Sequence, residues 1–149
     1  MTTRFPALSV DLSRSLEVDL TLQGTVYQAT LHFDRQERLH QIEVLLRESE
    51  CFSDSGGLLT GSEWCISEDE LPARWEEYRA YYETLVELHH RTMGPPDFSG
   101  DSMEKGYPED DFGFDLLTHW DRPEGRFAIG LGQEDRETPV FVAMVCCRI

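Results

Sequence analysis

A short acidic run is the part of the chain whose residue types come closest to a metal site. Glu109, Asp110 and Asp111 are consecutive, and Asp115 follows four residues later. Carboxylate oxygens are the ligands that calcium and magnesium ions prefer, but the calcium loop of EF-hand proteins needs acids at alternate positions, then a glycine and a terminal glutamate. This run lacks that spacing, and in an extended segment only Asp111 and Asp115 would share a face. We therefore predict no metal site and no cofactor.

The histidines suggest a second kind of chemistry, acid–base catalysis. His119 and Asp121 would share one side of a strand if the strand continued that far, but the sequence shows no nucleophile for them to activate. His89 and His90 are adjacent on a predicted helix, about 100° apart, and cannot readily hold one metal ion together. A cation at a helix C-terminus is stabilised by the helix dipole, which explains that pair. No nucleotide-binding, metalloprotease or nucleophile-elbow motif occurs, so we predict no catalytic residue and no enzymatic activity.

The four cysteines do not form a zinc-binding pattern. Cys146 and Cys147 are neighbours, and neighbouring residues of a strand point to opposite faces. Free cysteine is often buried, so we predict that these two, with Cys51 and Cys65, are buried reduced thiols. The chain begins without an apolar leader segment, and no window approaches the roughly 18 apolar residues of a membrane span. These features predict a cytoplasmic protein that does not enter a membrane.

Net charge is the most unusual property of the sequence. The 29 acidic residues outnumber the 13 basic ones, which gives a formal net charge of −16. Residues 48–77 carry −8 and residues 97–124 carry −7, whereas residues 1–47 carry −1 and residues 78–96 and 125–149 are balanced. Nucleic acids and anionic membranes need a basic surface on their partner, which argues against both. The localised acidic excess favours a basic protein partner, although a merely solvated loop surface would carry the same charge.

Hydrophobic periodicity predicts the elements that must position these acids. Strands are predicted over 15–23, 25–33, 39–47, 112–120, 126–133 and 140–149. The last of these is nearly continuous in apolar residues, as in a central strand buried on both faces or a strand at an interface. Residues 48–66 and 97–111 lack periodicity and are predicted to be long loops.

One amphipathic helix is predicted between the two groups of strands. It begins near Asp69 or Ser67, and Gly94 followed by two prolines ends it. Its apolar side carries Leu71, Trp75, Tyr78, Tyr82, Leu85 and His89. The predicted fold is one α+β domain over residues 1–149, a two-layer sandwich in which a single antiparallel sheet (β-β-β-α-β-β-β) packs on the long helix. Because the two acidic loops adjoin opposite ends of the helix, we expect them at opposite ends of the domain, unless they fold across a shared face.

Aromatic residues accompany the acids in both loops. An apolar anchor within a charged rim is the arrangement of a protein recognition surface. Phe52, Trp64, Tyr107 and Phe112 fit that description, and they would equally serve to fasten the loops to the sheet. The residues that we predict to contact a partner are Asp54, Glu63, Trp64, Tyr107, Glu109, Asp110, Asp111 and Asp115.

In general character the chain resembles the immunity proteins of bacterial toxin systems, which are small, acidic α+β proteins without catalytic motifs. No motif carries this resemblance, so no residue role is transferred from it. It implies a non-enzymatic protein that neutralises a basic toxin, as a monomer or a homodimer. One alternative is a small acidic secretion-type chaperone that dimerises through an apolar strand such as VFVAMV (140–145). Another is a small hydrolase or ligand-binding domain that uses the cleft between sheet and helix.

Overall fold

The computed structural model describes residues 12–53, 57–58, 64–108 and 113–148. The strands in these ranges are β1 (Leu12–Leu22), β2 (Thr25–Asp34), β3 (Leu39–Glu48), β4 (Cys51–Ser53), β5 (Gly57–Leu58), β6 (Trp64–Ser67), β7 (Phe98–Asp101), β8 (Leu116–Arg122), β9 (Gly125–Gly132) and β10 (Phe141–Cys147). The helix α1 spans Leu71–Met93, and a 3₁₀ turn at Glu68–Glu70 leads directly into it.

Seven strands form one antiparallel sheet in the order β1-β2-β3-β10-β9-β8-β7. The strands before and after α1 meet where β3 pairs with β10. β10 therefore lies at the centre of the sheet, and Phe141, Val142, Ala143 and Val145 are at most 1% exposed. The prediction of a buried central strand is confirmed, as is the α+β class with an antiparallel sheet packed on one helix.

α1 packs on the sheet through the side that its apolar spacing predicted. Tyr78 and Tyr82 are buried there, and Leu71, Trp75 and Leu85 pack against the same cluster. The hydroxyl of Tyr82 is paired with Thr118 Oγ1 on β8 at 2.6 Å, so the helix is also fixed by a buried hydrogen bond.

Both ends of the helical segment are set by local sequence. Ser67 Oγ accepts a hydrogen bond from the backbone N–H of Asp69, which caps the 3₁₀ turn. Pro72 lies in the first turn of α1, where its missing N–H has no cost. Gly94, at a φ of 84°, ends the helix and donates its N–H to His90 O, as the sequence predicted. No helix in the described part of the chain is long and apolar enough to cross a membrane.

The sheet buries apolar residues on both of its faces. Trp120 and Ile129 lie on the face that α1 covers, and Leu117 lies on the other. On that second face, the ring of Phe114 occupies the place where a side chain on Gly130 would stand, because a Cβ there would lie 2.2 Å from the ring. Gly130 thus allows the segment before β8 to pack closely against β9.

A second, smaller sheet lies in the segment between β3 and α1, which was predicted to be irregular. Its order is β4-β6-β5, with β4 parallel to β6. Cys51 and Cys65 face each other across β4 and β6 and form a disulfide. The prediction of reduced thiols is therefore wrong for this pair. Cys146 and Cys147 are thiols, but Cys146 is exposed rather than buried.

β7 is a further strand that was not predicted. It pairs with β8 at the edge of the sheet, within the stretch 97–111 that was predicted to be a loop. The strand predicted over 112–120 begins at Leu116 instead. Gly113, at a φ of 75°, lies in a conformation that a regular strand does not adopt.

Candidate functional site

The turn between β9 and β10, residues 133–138, is in contact with both acidic segments. Arg136 Nη2 donates to Glu68 Oε2 at 2.8 Å, which joins the turn to the start of the helical segment. Gln133 N donates to Asp115 Oδ2 at 3.2 Å, which joins the same turn to the segment before β8. The two acidic stretches, which are far apart in sequence, therefore meet at one end of the sheet.

This convergence corrects the expectation that the acidic loops lie at opposite ends of the domain. The second segment starts beside the helix C-terminus, where Asp97 N donates to His119 O at 2.9 Å. It then runs along the edge of the sheet as β7 and reaches the other end, where Ser102 N donates to Asp115 O at 3.1 Å. The unpredicted strand β7 is thus the physical reason why the loops share an end.

We call this end of the sheet, with the helix start and the turns beside it, the acidic end. Its described acids are Glu48, Glu50, Glu68, Asp69, Glu70, Asp101, Glu104, Asp115, Glu134, Asp135 and Glu137, and the described bases in it or directly beside it are Arg47, Arg74, Arg79, Lys105 and Arg136. Charge of one sign concentrated in this way produces a field that extends beyond contact distance.

Local contacts modify the ionisation of two carboxylates at the acidic end. A backbone hydrogen bond at Glu50, together with Arg74, lowers the pKa of the Glu50 carboxyl; the Arg74 Nε lies 3.3 Å from Glu50 Oε2. Desolvation raises the pKa of Asp115, and the hydrogen bond from Gln133 N only partly offsets that rise. The Glu50 carboxyl is therefore more acidic than that of an isolated glutamate, whereas the Asp115 carboxyl is less acidic than that of an exposed aspartate.

An exposed methionine lies among these acids. Met103, in the turn that follows β7, is 91% exposed, and its backbone N–H is bonded to the Asp101 side chain at 2.8 Å. Glu104 is its neighbour in sequence. Methionine is enriched in protein interfaces, where its flexible side chain adapts to a partner. Met103 therefore gives the acidic end an apolar contact point.

The residues predicted to bind a partner divide into two groups. Asp54, Glu63, Glu109, Asp110 and Asp111 lie outside the residues that the structure describes. Trp64, Tyr107 and Asp115 lie within them.

Of the described three, Trp64 starts β6, Tyr107 follows the Met103 turn, and Asp115 precedes β8 at the acidic end. The Tyr107 hydroxyl donates to Phe114 O at 2.8 Å, and its ring meets Phe98 edge-on. Tyr107 therefore holds its segment against the sheet, and its contact with a partner stays a prediction.

Two other aromatic residues were predicted either to anchor a partner or to fasten the loops. Phe52 is fully buried in the cluster under α1, so it fastens its loop. Phe112 lies outside the described residues.

The acids of the β9–β10 turn were missed because residues 125–149 are balanced in charge over their whole length. Glu134, Asp135 and Glu137 are nevertheless exposed together at the acidic end. Their position could have been predicted from the strand order, because a hairpin turn between two predicted strands must lie at an end of the sheet. The residues around Met103 did not indicate that its side chain would be exposed at the acidic end, apart from its position between Asp101 and Glu104.

A group of possible metal ligands lies at the opposite end of the sheet. Asp97, His119 and Asp121 offer ligand atoms that all lie within 4.8 Å of one another. β8 extends past Asp121, so His119 and Asp121 do share a face. Arg126, however, donates to both carboxylate oxygens of Asp121 at 2.7 and 3.1 Å. A metal ion would have to displace this bidentate guanidinium, so the geometry favours an ion-pair network over a metal centre. Desolvation and the Arg126 charge lower the pKa of His119, although Asp121 and Asp97 oppose that change.

A polar network crosses β1, β2 and β3 on the face opposite α1, and it is buried at His32, Gln41 and Glu43. His32 Nε2 lies 2.9 Å from Glu43 Oε1, Gln41 Nε2 donates to the same oxygen, and Ser15 Oγ lies 3.0 Å from His32 Nδ1. Serine, imidazole and carboxylate in this order are the parts of a hydrolytic triad. The Glu43 contact is not aligned with a ring N–H of His32, however. Ser15 also lies within an extended edge strand rather than on a sharp turn that presents a nucleophile. The network is best interpreted as structural.

Comparison with known proteins adds no functional assignment. No family model, no curated protein and no solved structure matches the chain. A proposal for the function must therefore be argued from the charges and contacts of the acidic end.

Proposed function

We propose that the protein is a non-enzymatic binding protein whose acidic end engages a basic protein partner. The observation that carries this proposal is the convergence of two acidic segments and the β9–β10 turn on one end of the sheet. Surface charge that served only solubility would not need to be concentrated, because dispersed acids keep a protein soluble equally well.

In this complex, charge would govern the association rate and apolar contact would govern the dissociation rate. The acidic end would attract a basic surface over distances of about 10 Å at 0.1 M salt and so speed association. Met103, with the aromatic residues predicted beside the acids, would supply the apolar contact that slows dissociation. Such a division predicts a fast, salt-dependent association rate.

The most concrete form of the proposal is neutralisation of a basic toxin, as in the immunity proteins that the chain resembles in general character. A dimeric chaperone has less support. The strand VFVAMV, which would have formed its interface, contributes to the buried centre of the sheet and is paired on both sides by β3 and β9. The choice between monomer and homodimer stays a prediction.

The cytoplasmic location also stays a prediction. Disulfides such as Cys51–Cys65 persist mainly in oxidising compartments. A protein that meets a toxin outside the reducing cytosol would fit this bond better than a strictly cytoplasmic one.

The proposal is tested by capturing partners from an extract of the source organism with matched charge variants. In the test variant, Glu134→Lys is combined with Glu137→Lys at the acidic end. In the control, Glu17→Lys is combined with Asp19→Lys on β1. All four residues are exposed, and both variants change the net charge by the same amount.

The expected result is a basic protein that the wild type and the control retain and the test variant loses. When produced alone in a host cell, that protein should slow growth, and co-production of the wild-type chain should restore growth. If both variants retain the same proteins as the wild type, the acidic end is not the binding surface.

A further inference from the structure

A groove lies at the end of the sheet opposite the acidic end, between the last turns of α1 and the strand ends. It encloses about 520 Å³, within the range of small-molecule sites. Its floor is an apolar row across three strands, because Cys146 is in register with Ile42 on β3 and with Phe127 on β9. Met93 and His89 line it from the helix.

The groove is basic although the protein as a whole is strongly acidic. Arg122 and Arg148 line it, and Glu124 is the single acidic residue among the described residues that line it. Arg126 lines it too, but its guanidinium is bound to Asp121.

Arg122 is held in place by two backbone carbonyls. Its Nη2 donates to Met93 O at 2.6 Å, and its Nη1 donates to Asp121 O at 2.9 Å. A carbonyl does not neutralise a guanidinium, so Arg122 keeps its charge. Arg148 follows β10 directly and is exposed. Positive charge is therefore present at the rim of an apolar floor.

We propose that this groove binds an amphipathic monoanion, a carboxylate attached to a hydrocarbon tail. The tail would cover the row formed by Ile42, Cys146 and Phe127, and the carboxylate would lie at the rim that Arg122 and Arg148 line. Guanidinium groups suit carboxylates because their N–H groups match the two oxygens. A polyphosphate fits less well, because Arg122 already uses two of its donors on backbone carbonyls and the floor is apolar.

Two probes with the same tail and opposite charge test the proposal on the full chain. Sodium dodecanoate and dodecyltrimethylammonium chloride are titrated below their micelle concentrations by calorimetry. Unspecific attraction to a protein with a net charge of −16 would favour the cation. The proposed groove predicts one site that prefers dodecanoate by at least tenfold. Equal or tighter binding of the cation, or no binding of dodecanoate, overturns the proposal.

Variants then locate the site. Arg148→Glu should weaken dodecanoate binding at least tenfold, whereas Arg79→Glu, the same charge change on the part of α1 that faces β7 and outside the groove, should leave it within twofold. Cys146→Phe should fill the floor and abolish binding, whereas Leu88→Phe, at an exposed position of α1 outside the groove, should preserve it. Equal affinity of Arg148→Glu and Arg79→Glu overturns the assignment of the head group, and full binding by Cys146→Phe overturns that of the tail.

The Cys146 thiol gives a readout that does not depend on affinity measurements. In a Cys147→Ser background, Cys146 is the single thiol outside the disulfide. Saturating dodecanoate should slow its alkylation by iodoacetamide at least fivefold, because the tail covers the sulfur. An unchanged rate with dodecanoate bound places the ligand elsewhere and overturns the proposal.

Discussion

Arg136 on the β9–β10 turn is bonded to Glu68 at the start of the helical segment, with 2.8 Å between Nη2 and Oε2. The Arg136 side chain is 77% exposed, whereas that of Glu68 is only 14% exposed. The contact connects two parts of the acidic end that are 68 residues apart in sequence. It also places a positive charge in the middle of the acidic end.

Removing that charge should strengthen the attraction of a basic partner. We expect Arg136→Gln to raise the association rate for the captured partner severalfold at low salt, because repulsion from the guanidinium is lost. Stability should fall only slightly, because exposed ion pairs contribute little. Arg91→Gln is the control, since it breaks the exposed Arg91–Glu87 pair near the C-terminus of α1, away from the acidic end, with the same charge change. The rates are measured by stopped-flow mixing, and an equal increase in both variants would contradict a local effect.

Met103 should affect the lifetime of the complex rather than its formation. Truncation by Met103→Ala removes an apolar contact, so we expect a dissociation rate at least fivefold higher and an unchanged association rate. Leu88→Ala, an exposed apolar residue on α1 at 51% exposure, should change neither. Both variants should unfold at the wild-type urea concentration. A normal dissociation rate for Met103→Ala would remove this residue from the interface.

The Cys51–Cys65 disulfide should stabilise the folded chain because it reduces the conformational entropy of the unfolded chain. The cysteines are 14 residues apart, and closing a loop of that size contributes about 3 kcal/mol in the chain-entropy model. We expect the combined change Cys51→Ser and Cys65→Ser to lower the urea midpoint clearly, with Cys146→Ser as a control that does not. Equal midpoints for all three proteins would show that the bond contributes nothing to stability.

Glu43 should make the stability depend on pH. Desolvation raises its pKa, although His32 and Gln41 oppose the rise. The folded state favours the protonated acid, so protonation of Glu43 stabilises the folded state. This stabilisation is fully present below the unfolded pKa of about 4.3 and is lost as the pH rises through the folded pKa. Glu43→Gln keeps a neutral side chain at every pH. Its unfolding free energy, relative to wild type, should therefore increase between pH 4 and pH 7 in urea titrations. A difference that is constant or falls would contradict the raised pKa.

The sequence predicted those features that depend on local periodicity. Tyr78 and Tyr82 repeat at helical spacing, Gly94 ends the helix in a conformation that favours glycine, and the apolar run of β10 reflects burial on both faces. Each of these follows from residues a few positions apart.

Features that depend on distant pairings were not predictable in this way. β7 has four residues including Gly100, too few to show an alternation. The Cys51–Cys65 bond requires the parallel register of β4 and β6. The second acidic segment reaches the acidic end because β7 runs along the edge of the sheet, so the charge was visible in the sequence but its convergence was not.

The association rate of the captured partner as a function of ionic strength tests the central claim most directly. For the wild type and for Glu17→Lys with Asp19→Lys, the rate should fall steeply between 50 and 300 mM salt (roughly the range over which screening becomes strong). For Glu134→Lys with Glu137→Lys, the rate at low salt should be at least tenfold lower and its salt dependence much flatter. Parallel salt dependences for the two charge variants would show that the acidic end does not guide binding.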